Sequence, residues 1–263
     1  MPDSGVLVTG GNGILGRELV KLLEERTVPF LIASRTNPDS VGNWMHIDLA
    51  TGEGLKEVTK NRKTIFHLAS ATGNYNSKVD IDGTRKLLQS AAENKVSHFI
   101  YISIVGIDKV PMKYYKYKLQ AEKEIINSGI PYTILRATQF HELIDMMLNR
   151  FLKNRISFFP RNIKIQPIET KIVAWRLVVL GESVPENRII NLGGKDVMDF
   201  GHAARLWLSA QNKRKVMIDI PAIGERLRSL KKGGLTCAER SEESCTWEEW
   251  IARKYTSSSW DEV

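Results

Sequence analysis

Cysteine is nearly missing from this chain: Cys237 and Cys245 are the two among 263 residues. Neither their spacing nor any nearby histidine suggests a metal site or a disulfide framework, so both read as reduced thiols and no metal is expected. Long apolar runs are missing too, since none approaches the ~18 residues that a membrane span needs. The first strand-like run begins within about five residues of the start, leaving no room there for a charged and apolar leader. The expectation is an unexported, cytoplasmic chain with no membrane partner. Repeats and low-complexity blocks are absent. Acidic residues fall short of basic ones, 30 against 38, for a net charge of +8. The surplus thickens at Lys213, Arg214 and Lys215 and again from Arg226 to Lys232. With no interleaved aromatics and no DNA-binding motif there, a solvated face is expected rather than a nucleic-acid surface. The positive field would favour a polyanionic cofactor.

What the chain does have, beside 42% hydrophobic residues, is an apolar run that stops at glycines. Val6, Leu7 and Val8 read as a buried strand, followed by Thr9, Gly10, Gly11, Asn12, Gly13, Ile14, Leu15 and Gly16. Gly10 allows a tight turn, Gly13 lets the backbone approach a pyrophosphate, and Gly16 lets the next helix pack close. The phosphates would sit at the N-terminus of a helix from Ile14 to Arg26, where unpaired N–H groups and the dipole favour an anion.

Further strands are predicted at Phe30–Arg35, Trp44–Leu49, Thr64–Ser70, His98–Val105 and Tyr132–Arg136, with helices at Gly52–Lys60, Ser77–Lys95 and Met112–Ser128 between them. The alternation predicts an α/β fold, a doubly wound, Rossmann-like parallel sheet. Residues 1–138 form the expected dinucleotide-binding core. Residues 139–263 form an expected small α+β lobe packed on it and supplying the substrate side. That half carries helices at His141–Leu152, Thr170–Leu180 and Phe200–Gln211, and strands around Ile156–Ile168, Arg188–Asn191 and Lys215–Ile220. A capping box, Thr246 with Glu249, opens a final helix to Lys254, and Ser257, Ser258 and Ser259 are expected to fray.

Where the second strand ends, an acid would grip the 2′-hydroxyl of NAD; here stand Ser34, Arg35 and Thr36. Arg35 suits a 2′-phosphate, favouring NADP over NAD, although a plain surface charge is the alternative. Asp48 reads equally as an acceptor for the adenine amino group or as a cap for the turn that follows. Tyr114 and Lys118, four apart, share a helix face, and Ser103 lies near the C-terminal end of the fifth strand, where open α/β sheets bind ligands. Lys118 would stabilise a Tyr114 phenolate, Tyr114 would exchange a proton with a substrate oxygen, and Ser103 would hydrogen-bond that oxygen. The bland alternative is a helix with packed tyrosines and solvated lysines. Thr138, Gln139, Phe140 and His141 follow the sixth strand and are candidate substrate contacts. His141 reads more readily as a cap or packing residue than as an acid-base group, His67 as a core histidine, and Arg136 as the partner of an unnamed carboxylate or carbonyl.

On these residues the chain resembles the short-chain dehydrogenase/reductase superfamily and, within it, the atypical NmrA-like NAD(P)-binding proteins. Thr9 to Gly16 is similar to the family's glycine motif, Phe66 to Ala69 to its fourth-strand segment beside the cofactor, and Asp80 to Thr84 to the start of its central helix. Ser128 to His141 looks characteristic of the NmrA-like branch. The resemblance implies cofactor contacts that include Leu49, Leu68, Ala69, Ser70, Thr84 and Lys118. It implies an NAD(P)-dependent oxidoreductase acting on a small carbonyl or alcohol. The alternatives are a redox sensor that binds the dinucleotide without catalysis, or an epimerase or dehydratase that retains it. Sensors of this type have lost the tyrosine, and Tyr114 is present. Two departures stand out: Ser70 replaces a common alanine or glycine, and the gap from Ser103 to Tyr114 is short.

Overall fold

A computed structural model describes residues 5–37, 42–70, 78–221 and 223–256. Ser77 and the serines expected to fray lie outside these residues. The first half runs β1 (Val6–Thr9), α1 (Ile14–Glu25), β2 (Phe30–Ser34), β3 (Trp44–His46), α2 (Leu55–Val58) and β4 (Thr64–His67). A single π-helical turn, Lys78–Gly83, leads into α3 (Thr84–Glu93), followed by β5 (His98–Ile104), α4 (Lys113–Ile126) and β6 (Tyr132–Ala137). Next come α5 (His141–Phe151), β7 (Ile156–Phe159), β8 (Lys164–Ile165), α6 (Thr170–Glu182) and β9 (Ile189–Leu192). The chain continues through β10 (Met198–Asp199), α7 (Phe200–Ala210), β11 (Val216–Asp219), α8 (Glu225–Lys231) and α9 (Trp247–Thr256).

Seven strands form one sheet in the order β3-β2-β1-β4-β5-β6-β9. Parallel registers such as Val8 against Ile32 and Phe66 tie β1 to β2 and β4. The doubly wound α/β expectation therefore holds. Chain direction across the sheet reverses between β1 and β4, which opens a ligand crevice at the C-terminal ends of those strands. The strands are continuously apolar because helices cover both faces. Leu7, Ile65, Phe99 and Ile134 from the sheet share a core with Leu87 and Leu88 of α3 and Ala121 and Ile125 of α4.

Several elements differ from expectation for local reasons. The third strand stops at His46 because Asp48 turns the chain, its N–H donating to Glu53 O and its Oδ1 accepting from Ala50 N–H. The expected helix over Ser77–Lys95 instead begins with the π turn, where Thr84 Oγ1 donates to Asp80 O at 2.7 Å and a Cβ on Gly83 would fall 2.9 Å from Leu49 O. Helix α8 escapes the periodicity argument because it buries no side chain.

The chain divides into two compact units. The first, Met1–Ser103 with Lys113–Arg136 and Val173–Ile190, carries the body of the sheet. The second, Ile104–Met112 with Ala137–Ile172 and Asn191–Val263, has a core of its own around Phe159, Phe200, Trp207 and Trp247. There Asp145 accepts from Trp207 Nε1 at 2.6 Å, from Lys254 Nζ at 2.8 Å and from the Tyr255 hydroxyl. The capping box is reciprocal: Glu249 N–H donates to Thr246 Oγ1, and Thr246 N–H to Glu249 Oε2.

Candidate functional site

The glycine turn follows β1, at the switch point of the sheet. Gly10 has φ of +77°, and a Cβ there would lie 2.6 Å from Ala69 N, so both conformation and crowding demand glycine. A Cβ on Gly16 would fall 2.2 Å from Gly10 O; its absence lets α1 close onto the turn. Gly13 differs, since a Cβ there would meet nothing nearer than 3.4 Å. It caps α1 with no side-chain hydrogen bond, and no acid lies in the first turn. The first N–H groups of α1 thus lack a side-chain partner, the condition under which a helix N-terminus binds a phosphate. Buried Asn12 Oδ1 also lacks a partner among the described residues. These features fit a dinucleotide.

At the end of β2, the Ser34 hydroxyl donates to Thr36 O at 2.7 Å and accepts from Trp44 Nε1 at 2.9 Å. Its only proton is committed. Arg35 is exposed and has no ion-pair partner among the described residues. Asp48 uses one carboxylate oxygen for the turn into Ala50, and Leu49 is a core residue against Gly83.

His67 is fully buried in β4. Its Nδ1 lies 2.7 Å from Thr9 Oγ1 and its Nε2 3.0 Å from Thr84 Oγ1. Because Thr84 gives its proton to Asp80 O, it can only accept from His67. The network therefore assigns the proton to Nε2 and leaves Nδ1 to accept from Thr9. Burial, then the nearby Lys118 charge, lowers the His67 pKa to about 3, keeping the ring neutral. The histidine locks β1, β4 and α3 together behind the glycine turn, as its core reading expects.

The structure brings Tyr114 to Ser70. Ser70 Oγ lies 2.7 Å from the Tyr114 hydroxyl and 2.6 Å from Asp80 Oδ1. A carboxylate accepts only, so Ser70 donates to Asp80 and accepts from Tyr114. Lys118, one turn along α4, is buried; its Nζ donates to Ile102 O at 2.8 Å and sits 4.0 Å from the centre of the Tyr101 ring. Burial lowers its pKa to about 8, and the Asp80 and Glu122 charges oppose that fall. Ser103, the next residue along β5, is 3% exposed, and its Oγ has no hydrogen-bond partner among the described residues. An unpaired buried hydroxyl is costly, so this one awaits an acceptor or donor. The Arg136 guanidinium pairs with Glu122 through Nε at 2.9 Å and a terminal nitrogen at 2.6 Å, naming its partner.

Sequence reasoning missed Asp80 as the anchor of the Ser70–Tyr114 chain and Tyr101 as the seat of Lys118. Asp80 had a signal, its place at the head of the segment leading to Thr84; Tyr101 had none.

In the second unit, Thr138 Oγ1 accepts from Gly194 N–H, and Gln139 uses both ends of its amide, on Leu235 O and on Gln166 N–H. Phe140 is the N-cap of α5. His141 is buried with its ring 5.8 Å from Trp247 and 5.5 Å from Trp250, and burial lowers its pKa to about 4. Among the described residues no group of histidines, cysteines and acids could hold a metal, and no helix is long and apolar enough to cross a membrane.

A parallel sheet with a glycine turn and an uncapped helix at its switch point defines a dinucleotide-binding fold. Residues 10–144 match the model of a family described as NAD(P)H-binding, and the chain belongs to that family. The match agrees with the NmrA-like resemblance. The photosystem II assembly factor Ycf39 of Trieres chinensis is 24% identical over 206 residues, 72% of this chain and 64% of that protein. The chloroplastic divinyl chlorophyllide a 8-vinyl-reductase of Cucumis sativus is 26% identical over 165 residues, 52% of this chain and 39% of its own. The chain thus spans less than two thirds of the length of these curated relatives. An NADPH-dependent quinone oxidoreductase of Escherichia coli, solved with NADPH, superposes with a TM-score of 0.79 at 17% identity, covering 95% of this chain and 99% of its own.

Proposed function

We propose that this chain is an NADPH-preferring oxidoreductase acting on a small carbonyl or alcohol, with Ser103, Tyr114 and Lys118 as its catalytic residues. The observation that carries the reading is Ser103 Oγ, buried, without a hydrogen-bond partner among the described residues, and one residue along β5 from the carbonyl that holds Lys118. A buried hydroxyl with no partner among the described residues is suited to a substrate oxygen. Tyr114 donates its proton to that oxygen in reduction and takes it back in oxidation. The Lys118 ammonium lowers the cost of the phenolate, and Ser103 hydrogen-bonds the same oxygen. The bound nicotinamide supplies or accepts the hydride. Thr9, the stretch from Gly10 to Gly16, Leu68, Ala69, Ser70 and Thr84 would line its site. Arg35, exposed and with no acid beside it on β2, supports recognition of a 2′-phosphate. The names of the reductase relative and of the quinone oxidoreductase neighbour support the reaction class.

The test is NADPH oxidation by wild type and Tyr114→Phe across small aldehydes, ketones and quinones. The variant should lose about 100-fold in kcat while binding NADPH as before, and wild-type turnover should fall above about pH 8 as Lys118 loses its proton. Equal turnover by the variant would overturn the mechanism. A second reading, a dinucleotide-binding regulator, is favoured by the assembly-factor relative, which covers 72% of the chain. It expects cofactor binding without turnover on any substrate.

A further inference from the structure

Strands β7 and β11 form a separate parallel ribbon, with Ile156 opposite Val216 and Phe158 opposite Ile218. Alternation sends Ser157 and Phe159 inward and leaves the other face apolar and uncovered: Phe158 is 68% exposed, Ile156 56%, Val216 55% and Ile218 42%. Ile220 and Ile223 extend this exposed apolar run past the end of β11. Burying such side chains is worth about 1.5–3 kcal/mol each, so a contiguous uncovered set marks a contact surface.

The charge around the ribbon selects the partner. Residues 150–164 and 213–232, which contain both strands and α8, hold twelve lysines and arginines against Asp219 and Glu225. Their net charge of +10 exceeds the +8 of the whole chain. Asp219 is already engaged by the Arg161 N–H and by Asn162 Nδ2. Arg155 and Arg214, which flank the starts of the two strands, are exposed and have no ion-pair partner among the described residues. Lys164 is paired with Asp199 at 3.0 Å, and two copies meeting through this face would still set one basic segment against another. Nucleic acid would satisfy the charge but offer nothing to four aliphatic and aromatic side chains projecting without polar groups between them.

We infer that this ribbon docks the protein on an anionic phospholipid bilayer, with Ile156, Phe158, Val216 and Ile218 entering the headgroup boundary and the flanking lysines and arginines lying against acidic headgroups. Apolar insertion combined with basic flanks is the physical recipe for such peripheral binding, and each cation near the surface contributes roughly a fivefold gain. A bilayer also accommodates an irregular apolar surface without shape-matched pockets. The contact is superficial, because no helix among the described residues could span.

The test is co-sedimentation of the full chain with vesicles of phosphatidylserine and phosphatidylcholine, against phosphatidylcholine alone. Binding is expected to the first and not the second. It should fall at least about tenfold in Phe158→Ser/Ile218→Ser and about 25-fold in Arg155→Gln/Arg214→Gln. Both variants alter exposed residues, so an unchanged melting temperature confirms their folding. Absence of binding to the anionic vesicles overturns the inference, as does equal binding by the apolar variant. Tighter binding to a DNA duplex than to vesicles, or dimerisation abolished by Phe158→Ser/Ile218→Ser, assigns the face to another partner and also overturns it.

Discussion

At the scale of single residues, the site depends on what each polar atom has already given away. Ser34 has spent its proton on Thr36, which leaves Arg35 as the donor that the proposed NADPH preference depends on. Arg35→Ala should weaken NADPH binding about tenfold relative to NADH, the worth of one charge-assisted contact; titrations of both cofactors that shift equally would remove Arg35 from the argument. Ser70 accepts from Tyr114 and donates to Asp80, holding the phenol in place. Ser70→Ala should lower kcat about tenfold with KM for the cofactor unchanged, whereas a change in cofactor KM alone would mean Ser70 serves binding. Sequence spacing was enough to pair Tyr114 with Lys118, because residues four apart on a helix are neighbours by geometry. It was not enough to find Asp80, 34 positions upstream of Tyr114, because that meeting depends on how the π turn and α4 pack.

At the scale of elements, α4 is fastened to the sheet by two buried charged residues of opposite sign, Lys118 and Glu122. Lys118 reaches the Ile102 carbonyl of β5, and Glu122 receives the Arg136 fork from β6. Glu122→Gln would leave the Arg136 charge poorly compensated and should cost about 3 kcal/mol, measured as a lowered midpoint in denaturant. A loss below about 0.5 kcal/mol would place that pair among surface ion pairs in effect. Most elements were legible from periodicity: the near-continuous apolar strands and the α1, α5 and α7 stripes stand where expected. The exceptions share a cause. β3 is cut short by an Asx turn at Asp48, the π turn ends at Gly83 where a Cβ would crowd Leu49, and α8 has no buried face to advertise.

At the scale of the whole molecule, three buried histidines make acid the natural denaturant. Burial lowers His67 to about 3 and His98 and His141 to about 4, against an ordinary value of 6.5. The unfolded chain binds protons that the folded chain refuses, so stability from these groups is full above about pH 6.5 and is lost as pH falls toward 4. Each can add roughly 1.4 kcal/mol per pH unit to the slope in that window. The melting temperature should therefore drop steeply below pH 6, and His67→Gln should flatten the drop; an unchanged slope in that variant would exclude His67 as a source. The order of amino acids alone determined the doubly wound class, the glycine turn and the Tyr114–Lys118 face, since strand burial, backbone freedom and helical spacing are local properties. Tertiary structure alone decided that Tyr114 meets Ser70 and through it Asp80, that Ser103 Oγ has no partner among the described residues, and that Phe158 and Ile218 share an exposed face. Each of those facts arises where segments distant in sequence are packed together, and no local property encodes which atoms then find partners.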